Sequence, residues 1–326
     1  MKMKKLTVIG LLAAACMGLA AYAQTAGAAY PERPVKIVVP YAPGGGSDVI
    51  GRIVANKLSP RLGASVIVEN KPGANSNLGA GHVAKAAADG YTLLLASNFI
   101  TVNKSLMKQL DYDAAQDFVQ ISRFATAPGI LVAGAQLPVG SLPQLIEYGR
   151  SNPSALSYAS SGYGSFQQLN AAIIADSGKF NALHVPYKGS SPALADVLTG
   201  RVSFLVSPPA DLIGHIQSGK LKALAVTGPD RLSMLPGTPT LKEAGLNEEG
   251  VLAWWGLLAP QGTPKDVVVR LDQEVAAVLR DPEVIKSVEA LSLQVSHQGP
   301  ERFREFYAGQ IATFAELIKK FDIPTQ

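Results

Sequence analysis

Short apolar runs rich in β-branched residues alternate with helix-length segments through most of this chain. Val35-Lys36-Ile37-Val38-Val39 is the first such run. It is followed, from Ser47 to Leu62, by a segment whose Val49, Ile50, Ile53, Val54 and Leu58 share one helical stripe. Val66-Ile67-Val68, a Gly/Asn loop, a small-residue helix from Leu78 to Ala87 and Thr92-Leu93-Leu94-Leu95-Ala96 complete the first series. Strands that are apolar throughout, with helices between them, predict a mostly parallel sheet flanked by helices. After Pro128 the alternation resumes. Helices are predicted at 142–150, 165–175, 192–199 and 211–217, and strands at 156–159, 183–185, 202–206 and 221–226.

A Pro/Gly-rich connector at 229–250 closes the second series. The tail predicts one strand, 254–259, and helices at 264–279, 282–291 and 300–321, each with a proline at its start. One strand cannot make a third sheet. The tail therefore packs back on the first lobe, and the chain crosses between lobes twice, near Ala127-Pro128 and near Gly250-Val251. A mature chain of about 300 residues exceeds what one core commonly serves, which agrees with two α/β lobes. The expected division is 29–127 with 251–326 for one lobe and 128–250 for the other, after a leader at 1–28.

That leader changes how the composition reads. Lys2, Lys4 and Lys5 precede an apolar stretch from Leu6 to Ala21, and Ala21-Tyr22-Ala23 and Ala26-Gly27-Ala28 are small-residue cleavage sites. The stretch lacks the length of roughly 20 residues and the stop-transfer flank of a spanning helix. An exported and clipped protein is expected, working outside the cytoplasm. Leu12 to Cys16 loosely resembles a lipoprotein cleavage site, but apolar residues continue past it. The whole chain carries 29 Lys+Arg against 25 Asp+Glu; loss of the leader removes three lysines and no acid, leaving 26 against 25. The body then has no basic excess to attract nucleic acid. The single cysteine, Cys16, leaves with the leader, so no disulfide supports the mature fold.

The loops between strands and helices carry the candidate chemistry. Tyr41-Ala42-Pro43-Gly44-Gly45-Gly46-Ser47-Asp48 joins the first strand to the first helix. Glycines let a ligand approach the backbone, and unpaired N–H groups at a helix start favour an anion. Nucleotide readings fail on spacing: Val49 stands where a dinucleotide fingerprint needs Gly or Ala, and Arg52-Ile53 where a Walker loop needs Lys-Ser/Thr. The alternative is a plain tight turn capped by Ser47 or Asp48. Ser160-Ser161-Gly162-Tyr163-Gly164-Ser165 holds the equivalent place in the second series. One such loop per lobe is what a cleft needs to grip a carboxylate from both sides. Ser97-Asn98 and Lys188-Gly189-Ser190-Ser191 add further hydroxyls at helix starts, or act there as ordinary caps.

Hydrolytic and metal chemistry find little support. His82, His184, His215 and His297 lie at least 31 residues apart, so no His-x-x-His or His-Glu-x-x-His spacing exists. There is no Gly-x-Ser-x-Gly elbow, and a serine hydrolase using Ser165 has no base near in sequence. No cofactor and no metal are expected. His184, between Leu183 and Val185, reads as a packed strand residue in preference to a ligand contact, and Trp254-Trp255 as core or interlobe packing in preference to an aromatic platform for a ligand.

Taken together, Tyr30-Pro31-x-Arg33-Pro34-Val35 and Val38-Val39-Pro40-Tyr41-x-Pro43-Gly44-Gly45-Gly46-Ser47-Asp48 resemble the opening of Bug-type substrate-binding proteins of tripartite tricarboxylate transporters. Val68-Glu69-Asn70-Lys71-Pro72-Gly73-Ala74, Asp89-Gly90-Tyr91-Thr92-Leu93-Leu94, His184-Val185-Pro186-Tyr187-Lys188-Gly189, the run from Gly219 to Thr227 and Ala259-Pro260-x-Gly262-Thr263-Pro264 continue the resemblance in order. It implies a periplasmic two-lobed clamshell of type II-like architecture that captures a small mono-, di- or tricarboxylate. The ligand would pass to membrane permease subunits, or a sensor partner would take the permease's place. It implies no enzymatic activity, no nucleic-acid partner and a monomer. Tyr41, Ala42, Gly45, Gly46 and Asp48 are expected on one lip, with Asp48 capping or orienting water. Ser160, Ser161, Gly164 and Ser165 are expected on the other, and Ser97, Tyr187 and Lys188 along the wall. Gly46 is expected to need positive φ, so that a β-branched replacement would both strain and fill the loop. Gln168 departs from the family's usual histidine beside the second loop.

Overall fold

The computed structural model describes residues 30–326, and the leader read in residues 1–28 lies outside the described residues. Eleven strands among those residues make two sheets. β1 (Val35–Val39), β2 (Val66–Asn70), β3 (Thr92–Ser97), β4 (Phe118–Ala127), β10 (Ala253–Pro260) and β11 (Gln294–Gln298) form the first, in the order β11-β4-β10-β3-β1-β2. β5 (Ile130–Gly134), β6 (Ser157–Ser160), β7 (Leu183–Pro186), β8 (Phe204–Ser207) and β9 (Leu221–Val226) form the second, in the order β7-β6-β8-β5-β9. The helices are α1 (Gly46–Leu62), α2 (Asn77–Ala84), α3 (Asn98–Leu106), α4 (Leu142–Ser151), α5 (Phe166–Ser177), α6 (Ser190–Leu198), α7 (Pro209–Gln217), α8 (Lys265–Val278), α9 (Pro282–Ala290) and α10 (Pro300–Lys320).

The α/β character is as expected, but the sheets are mixed where mostly parallel ones are predicted. β1 pairs β2 and β3 in parallel, and β6 pairs β7 and β8 in parallel. β10 runs antiparallel to β3 and β4, β11 to β4, and β5 to β8 and β9. The reason lies in the crossings. Parallel pairing needs a helical crossover, whereas β4 passes directly through Pro128-Gly129 into β5, and β10 returns from the other sheet against the grain. The two crossing segments are tied together: Gly129 N–H donates to Thr227 Oγ1 at 2.7 Å, and Gly250 N–H to Thr227 O at 3.1 Å.

Burial supports each sheet separately and then joins them. Ile37, Val39, Leu93, Leu95, Ile50, Val54 and Leu58 pack between the first sheet and α1. On the opposite face, Trp254 is fully buried against Phe303, Phe306 and Tyr307 of α10, with ring centroids 5.5, 5.9 and 6.1 Å away. Trp254 is thus the core residue expected, and the tail covers the first sheet. Leu169 and Ile173 of α5 pack with Val102 and Leu106 of α3 and with Phe314 and Ile318 of α10, an apolar seam between the two halves. No described helix is long and apolar enough to cross a membrane.

Candidate functional site

The turn after β1 is built around one carboxylate. Asp48, 3% exposed, accepts from Gly44 N–H and Arg52 Nε at 2.9 Å each on Oδ2, and from Asn70 Nδ2 at 2.8 Å on Oδ1. Asn70 also donates to Tyr41 O at 3.1 Å, which pins the start of the same turn. Asp48 therefore shapes the loop, and both its oxygens are occupied by the protein. The hydrogen bond from Arg52, with help from Gly44 and Asn70, holds its carboxyl at about 2, below the usual 3.8, against the opposing push of burial. Its stabilising effect is present above the unfolded-state pKa near 4 and is lost as pH falls toward 2. Asp48→Asn is expected to destabilise the protein by about 1–3 kcal/mol at neutral pH. In thermal melts across pH, the gap from wild type should shrink between pH 4 and 2; a constant gap would remove the ionised form from the explanation.

The φ of +85° in this turn falls on Gly44, while Gly46 has an ordinary helical conformation and an added Cβ there would meet nothing within 4 Å. The expectation of positive φ at Gly46 is corrected accordingly. The cap is Gly45, without a side-chain bond, and neither Ser47 nor Asp48. Val49 N–H is bonded to Gly45 O at 3.0 Å, so the earlier N–H groups of the first turn have no intrahelical acceptor.

Trp255 draws the wall together. Its Nε1 donates to Ser47 Oγ at 2.9 Å, and its backbone lies opposite Ser97 in the β10–β3 pairing. Ser97 in turn shares a 2.8 Å hydrogen bond with Tyr41 Oη. Ser97 is also the cap residue of α3 and gives no side-chain bond to that helix. Below it, Asn103 Nδ2 donates to Asn75 O and to Asn77 Oδ1 at 2.9 Å each, and Asn75 Nδ2 donates to Asn103 Oδ1 at 3.0 Å. Ala74, Asn75 and Ser76 are successively left-handed, at φ 47°, 52° and 70°, a local strain that this amide network holds in place.

The second lip is fixed by a relay. Gln168 Oε1 accepts from Gly164 N–H at 2.7 Å, which leaves its Nε2 to donate to His184 Nδ1 at 3.2 Å. His184 Nε2 then carries the proton and donates to Ser160 Oγ at 2.6 Å. Burial lowers the His184 pKa to about 4, so the ring is neutral at physiological pH. It stacks on Tyr158 at 4.9 Å, in keeping with a packed strand residue. Ser165 caps α5 by accepting from Gln168 N–H at 3.3 Å, and Leu169 N–H reaches Ser165 O, so Phe166 and Gln167 keep unpaired first-turn N–H groups.

A cavity of about 290 Å³ lies between these two lips. Of the residues expected in the site, it brings together Tyr41, Ser97, Ser161, Gly164 and Ser165. Ala42, Gly45, Gly46, Asp48, Ser160, Tyr187 and Lys188 are not among its lining residues. Tyr187 donates to Asp196 Oδ2 at 2.7 Å, and Lys188 is exposed. Asn75, Phe99, Asn103 and Gln167, which the sequence did not single out, complete the lining with Tyr163 of the second loop. Trp255, expected to pack in the core or between the lobes, lines the cavity because its indole N–H is drawn to Ser47. No side chain of Asp, Glu, Lys, Arg or His lines it among the described residues. The starts of α1, α3 and α5 all reach it, and each brings the positive end of a helix dipole. Groups of His, Cys, Asp and Glu that could hold a metal are absent among the described residues.

Two mixed α/β lobes joined by paired crossings, with a cavity between them, define a two-lobed solute-binding protein. Residues 50–323 match the profile of the tripartite tricarboxylate transporter family receptor, TctC. The chain belongs to that family and is a Bug-type member of it. It is 33% identical to BugT of Bordetella pertussis over 317 residues, 97% of this chain and 96% of that one. An R. palustris structure with adipate shows 31% identity and a TM-score of 0.79, covering 90% of this chain and 99% of that one. MatC from Rhodopseudomonas palustris with bound malate shows 29% identity and a TM-score of 0.74, covering 89% and 100%. The family consists of periplasmic solute-binding receptors, not enzymes, and its members bind small carboxylates.

Proposed function

We propose that this protein is a periplasmic receptor that captures one small organic acid in the cavity and delivers it to the permease subunits of a tripartite tricarboxylate-type transporter. The observation that carries this reading is the convergence of three helix starts on a cavity without a charged side chain. Unpaired N–H groups and helix dipoles then supply the attraction for a carboxylate, with the hydroxyls of Ser47, Ser97, Ser161 and Ser165 close by. The adipate and malate complexes of related proteins support the ligand class. The leader in residues 1–28 supports export, and the lobes 29–127 with 251–326 and 128–250 would close about their two crossings.

Thermal-shift screening of the mature protein against carboxylates tests the reading. A cognate acid at about 100 times its Kd should stabilise the fold by ~2.7 kcal/mol. If sugars or cationic metabolites raise the melting temperature and no organic acid does, the cavity is not an anion site.

A further inference from the structure

Arg123 is the one buried basic side chain among the described residues, at 8% exposure. It lies on β4, close to the crossing at Pro128. Nη2 donates to Ser296 Oγ at 2.7 Å, and the guanidinium carbon sits 4.4 Å from the Phe306 ring centroid. Nε is shielded and has no acceptor, so only the Nη groups are left to meet a ligand, and no carboxylate of the described residues comes within ion-pair distance. A guanidinium carries five N–H donors, and a buried charge without a counter-charge is unfavourable. Burial pulls its pKa down.

Beside it lies a second cavity, of about 180 Å³, walled by Arg123, Thr126, Ser296 and the segment Gly228-Pro229-Asp230. Pro128 and Leu252 also line it, so it touches both interlobe crossings. Asp230 is exposed and forms no ion pair with Arg123. We propose that this hinge-side cavity binds a small inorganic oxyanion of the phosphate or sulfate class, with Arg123 as principal donor. Its volume suits a single tetrahedral anion, and an arginine fork matches oxyanion geometry. Because both crossings wall the site, lobe rotation would reshape it. An oxyanion there would bias the interlobe angle, and by reciprocity carboxylate binding would change oxyanion affinity by the same factor. That coupling rests on the clamshell reading; the site itself does not.

The test titrates sodium phosphate and sodium sulfate into the mature ligand-free protein, with chloride balancing ionic strength, and follows the melting temperature. A saturable rise with at least one oxyanion is expected. Arg123→Gln should weaken it at least about tenfold, the scale of a charge-assisted hydrogen bond. Asp230→Asn, at an exposed position with little bearing on folding, should tighten it by removing a like charge. The rise should persist in Ser97→Asp, where the carboxylate cavity carries its own negative charge. No saturable rise in wild type overturns the proposal, as does an unchanged response in Arg123→Gln. Loss of the rise in Ser97→Asp would place the anion in the carboxylate cavity, and also overturns it. Should Arg123→Gln fail to fold, an unchanged response in Asp230→Asn decides against the site.

Discussion

Ser97→Asp is expected to remove carboxylate binding almost completely while leaving the unliganded protein close to wild-type stability. Ser97 is 9% exposed, caps α3 and touches the Tyr41 hydroxyl. A carboxylate at that position would take up the N–H groups and the dipole that the ligand needs. A second carboxylate about 4 Å away would then meet ~4 kcal/mol of repulsion at an effective dielectric of 20, close to a thousandfold in affinity. The same aspartate gains ~0.3–1 kcal/mol from the helix start, which offsets part of its own desolvation. Calorimetry with the best acid from the screen measures the loss, and thermal melting without ligand measures the fold. Ser97→Ala is the companion, with a loss of only ~0.5–1.5 kcal/mol for one hydroxyl. If Ser97→Asp binds the acid as wild type does, the anion does not sit at the start of α3.

Gly164→Ala is expected to show the second largest effect, through lobe closure. Gly164 has φ +69°, and a Cβ there would lie 2.6 Å from Leu106 Cδ2 and 3.2 Å from Val102 Cγ1. Those side chains belong to the apolar seam, where Leu106 is 1% exposed and has little room to move. The left-handed conformation adds ~1 kcal/mol of strain within the loop in any lobe arrangement. The two lips meet in this structure, and on the closure proposed above an open arrangement would relieve the clash with α3. Ligand affinity should therefore fall by ~2–3 kcal/mol, and ligand-induced compaction in solution scattering should shrink. Equal losses in ligand affinity and in unliganded stability would mean that the contact is part of the resting fold and not of closure.

The sequence disclosed the two lips because each is a Gly/Ser cluster between a strand and a helix, and that local chemistry needs no tertiary information. Strand β4 is hidden from such a reading. Gln120, Ser122, Arg123 and Thr126 put polar side chains into a strand buried on both faces, which hides it from a search for apolar runs. The pocket wall was hidden for a different reason. Trp255 meets Ser47 and Ser97 only because β10 returns between β3 and β4, which pairs residues far apart in the chain and brings Trp255 to a serine 208 positions away. Asn75 and Asn103 come together through a left-handed run at Ala74-Asn75-Ser76 that few sequences would signal. The family resemblance places Tyr187 and Lys188 along the wall, but the tyrosine hydroxyl donates to Asp196 and neither residue is in the cavity lining.

The charge-free lining sets how the receptor responds to the acidity of its surroundings. A capture site built on histidine would change its charge as the surrounding pH passes through about 6 to 7. Among the described residues the lining carries no Asp, Glu, Lys, Arg or His side chain, and the imidazole of His184, which braces the second lip through Gln168 and Ser160, stays neutral down to about pH 4. Association should therefore show no net proton uptake or release, with calorimetric heats that are the same in buffers of different ionisation enthalpy. Affinity should stay level from about pH 8 downward until the acid's own carboxyl titrates, so that the pH dependence of binding is set by the ligand's protonation and not by the protein's.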